Sequence, residues 1–149
     1  MFASEIPPMD MGIRLLAAAG LAFLLGLERE LRGKPAGLRS HMLVSVGAAA
    51  FILIGLHILM TTANGDPSAR IDPSRIVEGV IGGIGFLGAG SIIQSRGSIQ
   101  GITTGASIWI SGAIGVACGL GTLGLASMVT ALAFAIVVVL GLFEREVIR

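Results

Sequence analysis

Residues 102–143 read ITTGASIWISGAIGVACGLGTLGLASMVTALAFAIVVVLGLF and contain no charged side chain. A helix that crosses about 30 Å of hydrocarbon needs about 20 apolar residues, so this run is too long for one crossing. The glycine-rich segment at residues 119–124 is the expected turn between two crossings. Because backbone groups in lipid must be satisfied internally, both halves of the run are expected to be helices.

The whole chain shares this apolar character. Of its 149 residues, 54% are hydrophobic and 13% are charged, and the mean hydropathy is +0.91. A soluble domain would carry about 25% charged residues. The net charge of +1 gives no electrostatic case for a nucleic-acid partner, and the lone Cys118 excludes an intrachain disulfide. The composition therefore predicts an integral membrane protein whose solvent is lipid.

The other apolar runs complete an all-α, polytopic membrane helix bundle in a single transmembrane domain, residues 1–149. Turn signals precede the first and third runs, at Pro7-Pro8 and at Pro73. The five predicted helices span about residues 11–27, 42–60, 76–93, 102–118 and 122–143. Four crossings with one re-entrant segment is the alternative that the pattern leaves open.

The distribution of lysine and arginine predicts the orientation of the bundle. One side of the predicted topology holds seven basic residues, namely Arg29, Arg32, Lys34, Arg39, Arg96, Arg145 and Arg149. The opposite side holds only Arg70 and Arg75. We therefore expect an external N-terminus and a cytoplasmic C-terminus.

Glycine is concentrated between Gly79 and Gly124, which contain 14 of the 23 glycines. Small residues four positions apart let membrane helices approach closely. This spacing predicts helix-packing faces, and tight intrachain packing and a homodimer interface remain compatible readings. The faces are at Gly79/Gly83, Gly101/Gly105 and Gly115/Gly119, and Trp109 is expected to pack in the core. The match of residues 83–88 to G-x-G-x-x-G is rejected as a nucleotide site, because no strand precedes it.

Polar residues cluster at the predicted cytoplasmic ends of the helices. Glu28 and Arg32 have i,i+4 spacing, as do Asp10 and Arg14 at the other end of the first helix. Ionisable groups beside hydrocarbon favour a structured site over a solvated charge run. The candidate functional residues of this cluster are Glu28, Arg29, Glu30, Arg39, His41, Thr103 and Thr104.

A second polar cluster, formed by Asp72, Arg75 and Glu78, is expected at the outer start of the third helix. Asp72 precedes Pro73 and could cap that helix. The functional alternative is an acidic mouth at which Asp72 and Glu78 hold hydrated Mg²⁺, which needs only one or two carboxylates. No catalytic nucleophile with a base is visible and no other cofactor is indicated, so an enzyme is not expected.

With these residues assembled, the chain resembles the MgtC/SapB family of bacterial inner-membrane proteins. The resemblance covers about 100 residues, in the family's order. It is found at Gly-Leu-Glu-Arg-Glu (26–30), Pro-Ala-Gly-Leu-Arg-Ser-His (35–41), Arg75, Gly-Ile-Gly-Phe-Leu-Gly-Ala-Gly (83–90), Gly-Ile-Thr-Thr (101–104), Trp109 and Ala-Ile-Gly (113–115).

The resemblance implies a plasma-membrane protein linked to growth in low Mg²⁺, to acid adaptation and to virulence. It also implies action on the F-type ATP synthase and on other membrane proteins. Virulence-type members have a soluble C-terminal domain, whereas the sequence here ends at Arg149, so the transmembrane domain alone is expected. Thr103 stands where the virulence-type pattern has asparagine, which weakens the expectation of a virulence role.

Two functions follow as hypotheses. The first is a non-enzymatic regulator that contacts other membrane proteins through its glycine faces and forms a homodimer. The second is a small Mg²⁺ or proton transporter with charged sites at the ends of the third helix.

Overall fold

The computed structural model describes residues 6–65, 72–95 and 97–147. Over these residues the chain forms five α-helices and one short hairpin, which confirms the predicted all-α bundle. The helices are α1 Pro8–Leu31, α2 Leu38–Gly65, α3 Ser74–Gly90, α4 Ile102–Gly119 and α5 Leu123–Val147. The strands β1 Ile93–Ser95 and β2 Ser98–Gln100 pair between α3 and α4.

Among the described residues, α1, α2, α4 and α5 are long and apolar enough to cross a membrane. The shorter α3 has 17 residues, and at about 1.5 Å per residue it is shorter than the roughly 30 Å hydrocarbon core. It nevertheless lies lengthwise against its neighbours. The Ile76 side chain lies against Gly55 of α2, and the Ile84 side chain lies against Gly112 of α4.

The helix α4 is the centre of the bundle and contacts each of the other four helices. Its Ile114 and Cys118 are fully buried, in a core that includes Ala18 and Leu25 of α1 and Ala49 of α2. This core is built from small and aliphatic side chains. Its stability therefore depends on close helix approach, because lipid tails are as apolar as the side chains themselves and give little hydrophobic drive.

Glycines in α4 make this close approach sterically feasible. A Cβ placed on Gly115 would overlap the Ser45 carbonyl group of α2, and a Cβ on Gly119 would lie 2.8 Å from the Ala49 carbonyl oxygen. On the other side of α4, a Cβ on Gly105 would lie 2.8 Å from the Gly88 carbonyl oxygen of α3. The backbone of α4 therefore closely approaches the backbones of α2 and α3 at these glycines.

The predicted break within residues 102–143 is confirmed. The helix α4 ends at Gly119, and Gly121 has a φ of +81°, a left-handed conformation that glycine adopts without steric cost. The predicted end of the third helix near Ile93 is wrong. The helix α3 ends at Gly90, and a hairpin pairs Ile93 with Gln100 before α4 begins.

The first helix is longer at both ends than its apolar run. It continues to Leu31, so Arg29 lies within the helix, not in the loop to which the charge count assigned it. Of the other basic residues used for the orientation, Arg70, Arg96 and Arg149 lie outside the described residues. The orientation therefore remains a prediction.

Candidate functional site

Arg29 and Thr104 join the last turn of α1 to the first turn of α4. The Arg29 Nη2 atom donates a hydrogen bond to Thr104 Oγ1 at 2.9 Å. Both residues are buried, with Arg29 4% exposed and Thr104 2% exposed. A guanidinium at this depth must be paired to be tolerated, and α4 supplies a neutral hydroxyl as one partner.

His41 joins the first turn of α2 to the same part of α4. It is 0% exposed, and its Nδ1 lies 2.7 Å from the Gly37 carbonyl oxygen. Its Nε2 lies 3.0 Å from Ser107 Oγ, and Ser107 Oγ donates to the Thr104 carbonyl oxygen at 2.8 Å. The imidazole therefore ends a hydrogen-bonded chain that reaches from α2 to the backbone of α4.

Glu28 supplies the negative charge of this region. Its Oε1 lies 2.5 Å from Arg32 Nε, which confirms the i,i+4 pair expected from the sequence. The contact is an ion pair without hydrogen-bond alignment, since neither carboxylate oxygen accepts a hydrogen bond from the described residues. Arg29 Nε and Ser45 Oγ are likewise buried and unpartnered within the described part of the chain. A polar site with spare donors and acceptors thus lies inside an otherwise apolar bundle.

We call this set the buried polar cluster, and define it as Glu28, Arg29, Arg32, His41, Ser45, Thr104, Ser107 and Ser111. The structure brings together four residues that the sequence singled out as functional, namely Glu28, Arg29, His41 and Thr104. Arg39 and Thr103 have exposed side chains and lie outside the buried polar cluster, so a functional role for them stays a prediction. Glu30 is also exposed, and its Oε2 accepts the backbone N–H of Leu38 at 2.9 Å, at the start of α2.

The sequence reading missed the three serines of the buried polar cluster. Ser107 and Ser111 lie one turn apart on α4, and Ser111 Oγ donates to the Ser107 carbonyl oxygen at 3.0 Å. Ser45 lies one turn after His41 on α2 and is 0% exposed. Four-residue spacing of hydroxyls in an apolar helix was the available signal, because it places them on one face.

The outer polar cluster is not a closed site in the structure. Asp72, Arg75 and Glu78 are all exposed, and no ion pair joins Arg75 to Glu78. Asp72 acts as the expected cap, since its Oδ1 accepts the backbone N–H of Ser74 at 2.9 Å. Across the described ranges, no group of three or more histidine, cysteine or acidic side chains is placed to hold a metal ion.

The hydrogen bond from the Ser74 amide lowers the pKa of the Asp72 carboxyl. A lowered pKa in the folded state means that the cap is present at neutral pH and is lost as pH falls through that lowered value. We expect D72A to increase hydrogen exchange at the Ser74 amide at pH 7, and D72N to have a smaller effect because its amide oxygen still accepts. Equal exchange in wild type and D72A would contradict the cap.

The glycines of the predicted packing faces have different surroundings in the structure. Gly79 and Gly83 face open space, with no atom within 4 Å of a Cβ placed on either residue. Gly105 packs against the Gly88 backbone of α3, whereas Gly101 has a φ of +89° and forms the turn before α4, so it is not part of a packing face. The core position expected for Trp109 is wrong, because 48% of its surface is exposed.

Gly79 and Gly83 line a groove between α2 and α3, which we call the α2–α3 groove. Its volume is about 750 Å³, and Gly47, Ala48 and Gly55 contribute to its wall on α2. Arg75 lies at the end near the start of α3, and the remaining lining is apolar: Leu43, Val44, Phe51, Ile54, Ile58, Ile76, Val80, Ile84 and Leu87. The groove lies between two helices, α2 and α3, that contact each other less than each contacts α4.

At the opposite end of the bundle from the buried polar cluster, Arg14 joins α1 to α4. Its Nη2 donates to Asp10 Oδ2 at 2.7 Å, which confirms the second i,i+4 pair. Its Nη1 donates to the Gly119 carbonyl oxygen at 2.8 Å, where a cation complements the C-terminal end of the α4 dipole. Arg14 and Arg29 therefore tie α1 to the two ends of α4.

The fold and the buried polar cluster define a small, multi-pass helical membrane protein. The model of the MgtC family matches residues 15–146, and the chain belongs to this family. No solved structure matches the chain.

Curated relatives align over most of the chain. The putative magnesium transporter YhiD of Escherichia coli (strain K12) is 42% identical over 73% of this chain and 50% of its own length. The protein MgtC of Salmonella typhimurium is 46% identical over 73% of this chain and 43% of its own length. The protein SrpB of Synechococcus elongatus is 41% identical over 78% of this chain and 68% of its own length. The chain thus spans about half the length of the first two relatives.

Proposed function

We propose that this protein is a non-enzymatic regulator in the bacterial inner membrane that acts in Mg²⁺ homeostasis by helix–helix contact with other membrane proteins. The observation on which the proposal rests is the α2–α3 groove, whose glycines Gly79 and Gly83 have no described atom within 4 Å of a Cβ placed on either one. Small residues on a lipid-facing groove are what a partner's transmembrane helix needs for close backbone approach. The link to Mg²⁺ comes from the family resemblance and from the name of the Escherichia coli relative, a putative magnesium transporter.

The partner classes follow from the same groove. The F-type ATP synthase is the membrane partner implied by the family resemblance, and a second copy of the chain is the other transmembrane occupant that fits. We place the N-terminus outside and the C-terminus in the cytoplasm, so that the buried polar cluster lies toward the cytoplasm. A virulence role is not part of the proposal.

The expected result of G83L is at least a tenfold loss of ATP synthase recovered with the tagged, full-length protein from membranes of cells grown in low Mg²⁺. A leucine side chain would occupy the groove, and overpacking costs about 1–3 kcal/mol, where 1.4 kcal/mol is a factor of ten. The measurement is quantitative immunoblotting of co-purified synthase subunits, with equal amounts of the tagged protein compared.

The matched control is G82L, because Gly82 is exposed, is not part of the groove and has open space around it. G82L should recover as much synthase as wild type. Unchanged recovery with G83L, or equal losses with both variants, would contradict a role for the groove in this contact. Fluorescence energy transfer between two labelled copies of the chain tests the homodimer in the same variants.

A small Mg²⁺ or proton transporter is the second candidate. The observation that favours it is the buried Glu28 carboxylate, which accepts no hydrogen bond from the described residues although it lies among apolar helices. Flux of Mg²⁺ or protons into liposomes that hold the purified protein, sensitive to substitution of Glu28 as well as of Asp72 and Glu78, would support this function. Absence of flux in oriented liposomes would contradict transport and leave the regulator as the proposed function.

A further inference from the structure

His41 is fully buried, and the partners of its two ring nitrogens determine which nitrogen must carry a proton. Its Nδ1 lies 2.7 Å from the Gly37 carbonyl oxygen. A carbonyl oxygen only accepts hydrogen bonds, so Nδ1 must hold a proton and donate. The neutral tautomer with its proton on Nε2 would instead bring two acceptors together at that distance.

Ser107 has one hydroxyl proton and two neighbours that could receive it. Its Oγ lies 2.8 Å from the Thr104 carbonyl oxygen and 3.0 Å from His41 Nε2. If the hydroxyl donates to Thr104, Nε2 can complete its contact only by donating a proton of its own. The three bonds around His41 and Ser107 form together only when the imidazole is protonated. In the neutral form, one acceptor loses its donor.

The charged groups near His41 come from α1 and from its own helix. Glu28 and Arg29 of α1 act electrostatically on His41, and Arg39, two positions earlier on α2, has an exposed side chain. From α4 the facing groups are the hydroxyls of the buried polar cluster. Glu28 accepts no hydrogen bond from the described residues, so its negative charge favours a nearby cation, whereas Arg29 opposes one.

We propose that His41 is a proton-binding site that sets the hydrogen bonding between α2 and α4. A proton delivered by solvent hydronium binds to the Nε2 lone pair, which in the neutral form accepts the hydrogen bond of the Ser107 hydroxyl. The new N–H then donates to Ser107 Oγ, and the Ser107 hydroxyl proton turns from Nε2 to the Thr104 carbonyl oxygen. Loss of the proton to water reverses both changes. No other co-reactant is needed.

The position of His41 links this site to the α2–α3 groove. Leu43 and Val44 follow it on α2 and line the groove, so a change in how α2 meets α4 reaches that wall. This consequence for partner binding rests on the proposed function. The proton site itself does not, and it is tested without any partner.

The direct test is nuclear magnetic resonance of the full-length chain in detergent micelles, with ¹⁵N-labelled histidine, between about pH 4 and pH 9. The chain has two histidines, and H57N leaves His41 as the single reporter. We expect Nδ1 to remain protonated throughout and Nε2 to gain its proton within this range. An Nε2 that stays unprotonated at every pH, or a neutral form with its proton on Nε2, would overturn the proposal.

S107A tests the partner of the charged form. Removing the Oγ acceptor takes a charge-assisted hydrogen bond from the protonated imidazole and only a weaker one from the neutral form. The His41 titration midpoint should therefore fall by about half to one pH unit, where one unit corresponds to 1.36 kcal/mol. T103A is the matched control, since Thr103 is exposed and precedes the cluster on α4. An unshifted midpoint in S107A, or equal shifts in both variants, would overturn the proposal.

Discussion

G115A is expected to separate α4 from α2 and to destabilise the bundle by at least about 3 kcal/mol. A Cβ on Gly115 would overlap the Ser45 carbonyl group, with the carbonyl carbon at 2.8 Å and the Ala48 Cβ at 2.9 Å. The closest of these neighbours are backbone atoms, which cannot turn away as the end of a flexible side chain can. Overpacking of a tight core costs about 1–3 kcal/mol and occasionally more, and here relief requires a movement of a whole helix.

The measurement is thermal unfolding in detergent, followed by circular dichroism, with size-exclusion chromatography of the unheated protein. A loss of 3 kcal/mol should lower the melting temperature by about 10 °C for a chain of this size. The matched control is G20A in the middle of α1, where a Cβ meets nothing within 4 Å. Because alanine has the higher helix propensity, G20A should be neutral or stabilising by up to about 1 kcal/mol. A G115A protein as stable as G20A would show that α2 and α4 pack less closely than described.

The comparison of Gly115 with Gly79 shows what the sequence could not supply. Both have the spacing expected of a packing face, yet one contacts the backbone of α2 and the other faces open space. Spacing tells which residues share a helix face, but the covering neighbour depends on how all five helices are arranged. Trp109 was misplaced for the same reason, since its face of α4 is only partly covered.

Local pairs were predictable where tertiary pairs were not. The ion pairs Asp10–Arg14 and Glu28–Arg32 follow from one turn of helix and are confirmed. The bond between Arg29 and Thr104 joins residues 75 positions apart, and it required the positions of α1 and α4. The hairpin that pairs Ile93 with Gln100 was missed because short apolar runs beside a long apolar helix give no distinct periodicity.

E28Q is expected to destabilise the protein by about 2–3 kcal/mol, because it leaves the Arg32 guanidinium without its ion-pair partner. Glu28 and Arg32 have side chains 7% and 19% exposed, and Arg29 lies beside them with 4% exposure. Removing one partner of a buried pair costs about 3–5 kcal/mol because the other charge stays desolvated. The residual exposure of Arg32 places the expected value at or below the lower end of that range. Thermal and denaturant unfolding in detergent at neutral pH give the measurement.

D10N provides a matched control at the other end of α1. Asp10 and Arg14 also form an i,i+4 ion pair, at 2.7 Å, but the Asp10 side chain is 43% exposed. When D10N removes the carboxylate charge, water can therefore solvate Arg14. The expected loss of stability is about 0–1 kcal/mol. Similar losses of stability in E28Q and D10N would mean that the burial of an ion pair does not determine how much its removal destabilises the protein. If unpaired charge is the cause, E28Q combined with R32M should be more stable than E28Q alone, because the second substitution removes the cation that the first leaves without its partner.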